Sequence, residues 1–542
     1  MNIPRSSGVL LHPLSLGGPW PCGTMGDEAR LFVDFCTKAH LGWWQILPLG
    51  PTAFGDSPYQ SPSAFAGNPY LIDPQALEAQ GLLSSKELES YRCKRANESV
   101  LSLTHSKHSK RNSQNRLSLA RLEAENNALP SLSDSLEYVD YERLFATNAK
   151  LMEAAWCQFQ AKFLGRGRKA AKFDQFCKEN AFWLDDYALF AAIKEKEQYR
   201  PWFEWPQELR FRDHSALVQF EKDNKELICR LKFTQFLFLE QWLALRQYAN
   251  SKGLKLIGDI PIFAALDSAD VWAHRELFQL DEKGRPIRVA GVPPDYFTAT
   301  GQLWGNPLYN WQAHEQEGYA WWIARVQHSL KLVDALRIDH FRGFEAYWAV
   351  PFGEPTAENG RWEKGPGHRL FDALKSAIGE LPIIAEDLGF ITPEVIELRD
   401  SLGFPGMRIL QFAFELEEDN PDYPHNYPQH CIAYTGTHDN DTAMGWFAHA
   451  PLAAKKRALS YIHAKPSTFY QDIVRTAWAS PAMLAIAPMQ DFLGLGTEAR
   501  MNFPGTTSSW WRWRMNNESL KPALAHRIKR LSEVFFRVSS SS

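Results

Sequence analysis

Acidic residues stand at the ends of several apolar runs in this 542-residue chain. They are Asp259 in LIGDIPIF, Asp339 in LRIDHF, Glu386 and Asp387 in IIAEDLGF, and Asp439 in YTGTHDND. A helix N-cap would explain any one of them taken alone. If the runs are strands of one barrel, however, their ends meet at one rim. The pattern therefore predicts a cluster of carboxylates around a pocket.

Three of these carboxylates suit glycosyl chemistry. A pair about 5–5.5 Å apart can carry a retaining double displacement, in which one group attacks and the other donates a proton. Arg337 precedes Asp339 by two residues, so strand alternation puts both on one face. The cation there favours ionised Asp339 as the nucleophile, with a structural ion pair as the alternative. Glu386 follows apolar residues, and burial would raise its pKa as a general acid requires. Asp439 would stabilise an oxocarbenium-like transition state.

Aromatic residues make up 13% of the chain and include 20 tryptophans. A large aromatic core would explain them, and so would a cleft that binds the apolar faces of sugar rings. Loop positions that fit a sugar cleft are Tyr59, Tyr296, Phe297 and Trp304, with ordinary loop packing as the alternative for each. His438 would donate to a sugar hydroxyl. Asp259 and Arg337 complete the predicted substrate-binding set.

Metal and nucleotide motifs are weak. No HExxH sequence occurs, although His12, His340 and His438 near strand ends leave a three-histidine site as an alternative. The letters of a dinucleotide fingerprint occur at residues 494–499, but no second βαβ half follows them. The chain has neither a Walker A sequence nor a G-x-S-x-G elbow. We therefore predict no metal and no cofactor.

Eight short apolar runs end in turn or charged residues, and helical periodicity precedes most of them. The runs are GVLLHPL (8–14), WWQILPL (43–49), LKLIGDI (254–260), ALRID (335–339), IIAED (383–387), MRILQF (407–412), CIAYT (431–435) and MLAIAP (483–488). Strands that alternate with helices pair in parallel. Eight such units predict an α/β fold, a (β/α)8 TIM barrel that works at its C-terminal strand ends.

Two gaps between these runs are too long for simple crossovers. About 200 residues separate the second and third runs, where a crossover needs only a dozen. We predict a mostly helical subdomain at 76–225, inserted between barrel parts at 1–75 and 226–542. Loops over the barrel mouth are expected at about 264–320. A Ser-rich, basic segment at 97–134 is interpreted as a solvated loop rather than a nucleic-acid patch.

Composition excludes several classes of protein. A formal net charge of −4 gives no basic field for nucleic acid or anionic lipid. With 45% hydrophobic and 23% charged residues, the chain is not wholly disordered. No run of 18 apolar residues occurs, so no membrane partner is predicted. Seven scattered cysteines are interpreted as reduced thiols of a cytoplasmic protein. A monomer and a homodimer both stay open.

Longer stretches of the chain resemble family motifs. They are GNPYLIDP (67–74), GDIPIF (258–263), DSADVW (267–272), GVPPDYF (291–297), GQLWGNPLYNW (301–311), LRIDHFRGF (336–344), AEDLG (385–389), PGMRILQFAF (405–414), YTGTHDNDT (434–442) and QDFLGLGTEARMNFPGT (490–506). Together they resemble the 4-alpha-glucanotransferases called amylomaltase or disproportionating enzyme, which are relatives of the alpha-amylases. The resemblance covers nearly the whole predicted barrel.

This resemblance implies transfer of a segment of an alpha-1,4-glucan to the 4-hydroxyl of an acceptor sugar. The implied partners are alpha-1,4-glucans and maltooligosaccharides. It implies Asp339 as nucleophile, Glu386 as acid/base and Asp439 as transition-state stabiliser, in agreement with the argument from position. It further implies glucan contacts at Tyr59 and Trp304, and a loop over the donor sites that carries Tyr296 and Phe297.

Two features depart from the family pattern. Ser509 and Trp510 stand where the family usually has Gly-Asn, and the segment 97–134 is atypical. Other functions also stay open at this point. They are an alpha-amylase-type hydrolase, a metal-dependent barrel hydrolase and a non-catalytic glucan-binding protein.

Overall fold

The computed structural model describes residues 3–93, 137–294, 298–415, 418–506 and 510–538. Its strands in chain order are β1 (Ser6–Leu10), β2 (Trp43–Gln45), β3 (Lys255–Pro261), β4 (Arg288–Val292), β5 (Gln302–Pro307), β6 (Ala335–Asp339), β7 (Ala346–Pro351), β8 (Arg361–Lys364), β9 (Ile383–Ala385), β10 (Gly406–Ile409), β11 (Cys431–Tyr434) and β12 (Leu484–Pro488). Its α-helices are Asp27–Lys38, Pro74–Ala79, Ser85–Tyr91, Tyr141–Lys162, Gly167–Glu179, Ala181–Lys196, Gln207–Arg210, His214–Asp223, Lys225–Ser251, Ala269–Ala273, Trp311–Gln316, Ala320–Leu332, His368–Ile378, Pro393–Ser401, Leu410–Ala413, Ala443–His449, Leu452–Ile462, Phe469–Ala479, Met489–Leu493 and Pro522–Val534.

A parallel barrel forms the centre of the molecule. Within the described segments, eight strands follow the order β10-β11-β12-β1-β2-β3-β6-β9. The ring closes where the Ala385 N–H donates to the Pro405 carbonyl at 3.0 Å. Strands β1, β11 and β12 are buried along their whole length, as parallel strands covered by helices must be. Each predicted run overlaps one of these strands, and the predicted TIM barrel is confirmed.

Local sequence explains how the surrounding helices form, and Asp27–Lys38 is an example. Its acidic Asp27 and Glu28 lie at the N-terminus and Lys38 at the C-terminus, where each charge opposes the helix dipole. Phe32 and Cys36, one turn apart, are fully buried. This face packs toward the barrel, and the charged residues stay on the other side.

Helices occupy the described parts of the long stretch between β2 and β3. Helix Tyr141–Lys162 packs on Lys225–Ser251 through aromatic rings, with the centroids of Phe159 and Phe233 4.5 Å apart. These rings belong to the same apolar cluster as the barrel core. The domain boundaries at 75 and 225 stay predictions. The segment 97–134 lies outside the described residues.

A second sheet lies beyond the C-terminal ends of the barrel strands. Four strands of the described chain form it, antiparallel, in the order β5-β4-β7-β8. Strands β4 and β5 follow β3, and β7 and β8 follow β6. The sequence predicted loops at 264–320, so β4 and β5 correct that part of the interpretation. They are short and partly exposed, and they contain Gly291 and Gly305, which weaken the strand pattern.

The two ends of the chain are joined in the barrel. Strand β1 pairs in parallel with β12 from Ser6 to Leu10. Arg537, which is fully buried, donates to the Ser6 carbonyl at 2.9 Å and to the Trp478 carbonyl at 2.7 Å. Arg5 donates in turn to the Phe535 carbonyl at 3.0 Å. The C-terminal segment therefore holds the first strand in place.

Two further observations concern the chain as a whole. Among the described helices, none has the length and apolar character of a membrane span. The seven cysteines all lie in described segments, and none of them forms a disulfide bond.

Candidate active site

The carboxylates predicted to meet at one rim lie at the C-terminal ends of barrel strands. Asp259 is in β3, Asp339 ends β6, Glu386 follows β9 directly, and Asp439 lies in the loop after β11. In the described chain none of them caps a helix. The N-cap residues after these strands are Ser268, His340, Thr392 and Thr442. The capping alternative is therefore excluded for all four carboxylates.

Arg337 joins two of these carboxylates. Its side chain is 3% exposed, and its guanidinium donates from Nη1 to Asp259 Oδ2 at 2.6 Å. Nη2 lies 2.9 Å from Asp339 Oδ1. The Tyr59 hydroxyl donates to the same Asp259 oxygen at 2.8 Å. Strand register explains the pairing, because Asp259 lies directly opposite Arg337 between β3 and β6. One cation thus serves two carboxylates.

Backbone donors hold both carboxylate oxygens of Glu386. The His340 N–H donates to Oε2 at 2.6 Å, and the Leu388 N–H donates to Oε1 at 2.9 Å. His340 adopts a left-handed conformation with φ of 51°, which is uncommon for a residue other than glycine. Its ring lies edge-on to Trp304 with centroids 4.7 Å apart. The Glu386 carboxyl is therefore fixed in orientation beside Asp339.

The two carboxyls differ in acidity. Burial raises the pKa of Glu386 to about 8, and the charge of Asp339 adds to the rise. Burial also raises the pKa of Asp339, to about 6, although Arg337 lowers it. The charge of Asp259, which shares Arg337, adds to the rise in the pKa of Asp339. Near neutral pH, Asp339 is ionised and Glu386 keeps its proton.

Asp439 is oriented by a segment that follows the last barrel strand. Asn502 donates from Nδ2 to Asp439 Oδ1 at 2.6 Å, and Arg500 donates to the Asp439 carbonyl at 2.6 Å. His438 Nε2 lies 3.4 Å from Asp439 Oδ2. The charges of Asp439 and His438 both act on the pKa of Asp339. The three predicted catalytic carboxylates therefore belong to one site.

Aromatic rings line part of the site. Tyr59 stacks on His438 with centroids 5.1 Å apart, and Trp511 lies 5.7 Å from Tyr59. Trp304 lies edge-on to His340, whose backbone N–H donates to Glu386. The predicted contacts Tyr296 and Phe297 lie outside the described residues.

Several site residues were missed by sequence reasoning. They are Arg500, Asn502 and Trp511, which follow the last barrel strand β12. Two of them lie in the stretch ARMNFPGT, which the sequence analysis uses only for its resemblance to the family. Polar residues after a barrel strand were the available signal. At the departure from the family pattern, Ser509 lies outside the described residues. Trp510 packs locally, since its Nε1 donates to the Thr506 hydroxyl at 2.6 Å.

Asp387 plays a different part from its neighbour Glu386. Its carboxylate accepts the Met407 N–H at 2.6 Å and pairs with Arg399. It is 6% exposed and anchors β10 to the end of β9. This is a structural ion pair on the other face of the strand.

The three-histidine alternative gains no support from the geometry. Burial lowers the pKa of His12 to about 3, with a smaller contribution from the charge of His438, whereas His340 contacts Trp304. Across the described residues, no group of three or more His, Cys, Asp or Glu side chains is arranged to hold a metal ion.

Comparisons with known proteins agree on one family. The sequence model of glycoside hydrolase family 77, described as 4-alpha-glucanotransferase, matches residues 11–520. A 4-alpha-glucanotransferase from Thermus thermophilus is 44% identical over 99% of this chain and 100% of its own length. One from Clostridium butyricum is 42% identical over 97% of this chain and 100% of its own. The solved amylomaltase from Streptococcus agalactiae in complex with acarbose has a TM-score of 0.88 and 38% identity, over 99% of this chain and 100% of that chain.

Proposed function

This chain belongs to the 4-alpha-glucanotransferase family, and we propose that Asp339, Glu386 and Asp439 carry out its transfer reaction. The enzyme is of the amylomaltase type and acts on alpha-1,4-glucans. The reaction moves a glucan segment from a donor chain to the 4-hydroxyl of an acceptor sugar, in two displacements with net retention.

The observation that carries this proposal is the placement of three carboxyl side chains, at the ends of β6, β9 and β11, in one site. Burial raises the pKa of Glu386 more than that of Asp339, which is paired with Arg337. A retaining mechanism needs one carboxylate and one carboxylic acid at the same pH. Both side chains are also held in place, Asp339 by Arg337 and Glu386 by two backbone donors.

The first displacement breaks the donor chain. The carboxylate of Asp339 attacks the anomeric carbon while Glu386 gives its proton to the glycosidic oxygen. The carbon–oxygen bond breaks, and the leaving chain departs with a free 4-hydroxyl. A covalent ester joins the glucan to Asp339. Asp439, fixed by Asn502, stabilises the positive charge that develops on the sugar in the transition state.

The second displacement forms the new bond. Glu386, now a carboxylate, takes the proton of an acceptor 4-hydroxyl as that oxygen attacks the anomeric carbon. The bond to Asp339 breaks, and both side chains return to their initial states. Transfer exceeds hydrolysis when the acceptor is well placed and water is kept away. We assign the role of a shield to the loop with Tyr296 and Phe297, as in the sequence prediction.

The remaining predicted contacts surround the sugar to be transferred. Tyr59 offers a ring face beside His438, and His438 offers a donor to a hydroxyl. Asp259 has a buried oxygen, Oδ1, with no hydrogen-bond partner in the described chain. Because the Asp259 side chain is 0% exposed, we assign it an indirect role, in which it holds Tyr59 and Arg337 in place beside the sugar. Trp304 would stack beyond His340.

Maltotriose tests the proposal directly. The wild-type enzyme should produce glucose and longer chains without a matching rise in reducing ends. Asp339→Asn keeps the shape of the side chain and should lower turnover by about 10⁴-fold or more. Asp372→Asn, at an exposed position of helix His368–Ile378, is the matched control and should leave turnover unchanged.

Two results would contradict this assignment. Near wild-type turnover by Asp339→Asn, with the same melting temperature, would remove Asp339 from the chemistry. A steady rise in reducing ends from the wild type would favour the alpha-amylase-type hydrolase. We also propose a cytoplasmic monomer or homodimer without bound metal, and the absence of disulfides among the seven cysteines supports the compartment.

A further inference from the structure

Two exposed aromatic rings lie close to the catalytic loops and take no part in the mechanism above. Phe390 is 64% exposed and Trp362 is 37% exposed. Their ring centroids are 6.2 Å apart, and the ring planes differ by 22°. We call this pair the aromatic rim. Large apolar rings side by side in water are unfavourable unless a ligand covers them.

A buried arginine holds the aromatic rim in place. The guanidinium of Arg342 lies 3.9 Å from the Trp362 ring centroid and 5.7 Å from that of Phe390. Arg342 also donates to the Phe390 carbonyl and is 4% exposed. Trp348, edge-on at 5.2 Å, supports Trp362, and its Nε1 is bonded to the Ala357 carbonyl at 2.8 Å. The exposed rings are therefore preorganised for a ligand.

The rim is part of the same loops as the catalytic carboxylates. Phe390 lies four residues after Glu386, which places it at most about 14 Å along the chain from that residue. Arg342 lies three residues after Asp339, in the turn Phe341–Phe344. Trp362 is on β8, which pairs with β7 directly after that turn.

The position of the general acid Glu386 indicates which part of the glucan the aromatic rim faces. Tyr59 comes from the loop after β2 and Asp259 from β3, both on one side of β6 in the barrel order. Glu386 comes from β9 on the other side of β6. The group that protonates the leaving oxygen stands on the side of the leaving chain and of the acceptor that replaces it. The aromatic rim extends this acceptor side.

We propose that Trp362 and Phe390 form a subsite for acceptor glucans longer than one sugar. This inference rests on the proposed function. The ring whose 4-hydroxyl reacts lies beside Glu386, and a later ring of the same acceptor stacks on the aromatic rim. Single glucose reaches the reacting position without touching the rim. The rim therefore gives the enzyme a preference for longer acceptors.

The test uses α-maltosyl fluoride as donor, because fluoride leaves without occupying the acceptor side. Glucose and maltotriose are compared as acceptors. Phe390→Ala and Trp362→Ala should each raise the KM for maltotriose by about 3- to 10-fold, the value of a ring stacking contact. The KM for glucose and kcat should stay within about twofold. Phe390→Trp keeps an aromatic ring at this position and should have the wild-type KM for maltotriose. The control is Phe536→Ala, which removes a ring that is 83% exposed elsewhere in the chain.

Each outcome of this experiment supports or contradicts the acceptor subsite or the proposed function. Equal changes in KM for glucose and maltotriose would overturn the subsite, because they indicate a structural effect. Unchanged KM values in both alanine variants would overturn it as well. A wild-type enzyme that transfers to neither acceptor would overturn the proposed function, and this inference with it. Wild-type transfer combined with unaffected variants overturns the subsite alone.

Discussion

Activity should follow a bell-shaped pH profile set by Asp339 and Glu386. The active form has Asp339 ionised and Glu386 protonated. Raising the pH through about 6 ionises Asp339 and increases activity, whereas raising it through about 8 removes the proton of Glu386 and decreases it. The optimum is therefore expected near pH 7.

The size of the effect follows from these two values. With a pKa of about 6 for Asp339 and about 8 for Glu386, most of the enzyme is in the active form at pH 7. One pH unit outside this window, one of the two groups is mostly in the wrong protonation state. We therefore expect kcat/KM for maltotriose to drop about tenfold at pH 5 and at pH 9.

The variant Glu386→Gln tests the acid limb and the alkaline limb of this pH profile separately. Turnover of maltotriose by this variant should be lost, because no acid remains for the leaving sugar. Transfer from α-maltosyl fluoride to azide should survive, since fluoride needs no proton and azide needs no base. The alkaline limb should disappear from that reaction, and the acid limb of Asp339 should remain.

Initial rates at constant ionic strength, with melting temperatures at each pH, separate chemistry from unfolding. An alkaline limb near pH 8 that persists in Glu386→Gln with fluoride and azide would refute the assignment of that limb to Glu386. A wild-type profile that is flat between pH 5 and 9 would refute the reasoning from both carboxyls.

Two further perturbations test residues that the structure brings forward. Asn502→Ala removes the side chain that donates to Asp439 at 2.6 Å. A hydrogen bond to a charged group is worth about 1.5–3 kcal/mol, so kcat/KM should fall about 10- to 150-fold with little change in melting temperature. A fall below about twofold would show that Asp439 does not need this donor for its orientation. Trp322→Ala leaves a cavity at a fully buried position beside Phe344. It should lower the free energy of unfolding, measured by urea titration, by about 3–5 kcal/mol. A loss below about 1 kcal/mol would contradict the packing described.

The barrel could be predicted from the sequence because its strands are buried on both faces. CIAYT and MLAIAP are nearly continuous apolar runs, as the parallel strands β11 and β12 require. The antiparallel sheet was not readable. Strand β8 has the sequence RWEK and is largely exposed, and β5 contains Gly305 and ends in Pro307. Neither strand alternates apolar and polar residues, so pairing with β4 and β7 decides their structure.

The site was predictable where position alone decides it. Asp339 and Glu386 end apolar runs, and that was enough to expect them at one rim. The raised pKa of Asp339 was not predictable, because it depends on how deeply the folded chain buries the side chain and on Asp259, 78 residues earlier in the chain than Arg337, which it shares with Asp339. Asn502 was missed because a polar residue after the last barrel strand does not by itself indicate which carboxylate it binds. The roles of Tyr296 and Phe297 stay predictions.

The pairing of the first and last barrel strands has a consequence for biosynthesis. Strand β1 is synthesised long before its neighbour β12 and before Arg537, which donates to the Ser6 carbonyl. Until then the nascent sheet has two unpaired edges, which are sites of aggregation. Closure of the barrel therefore waits until β12 has been synthesised. A message truncated before β12 would yield an open sheet rather than a slower enzyme.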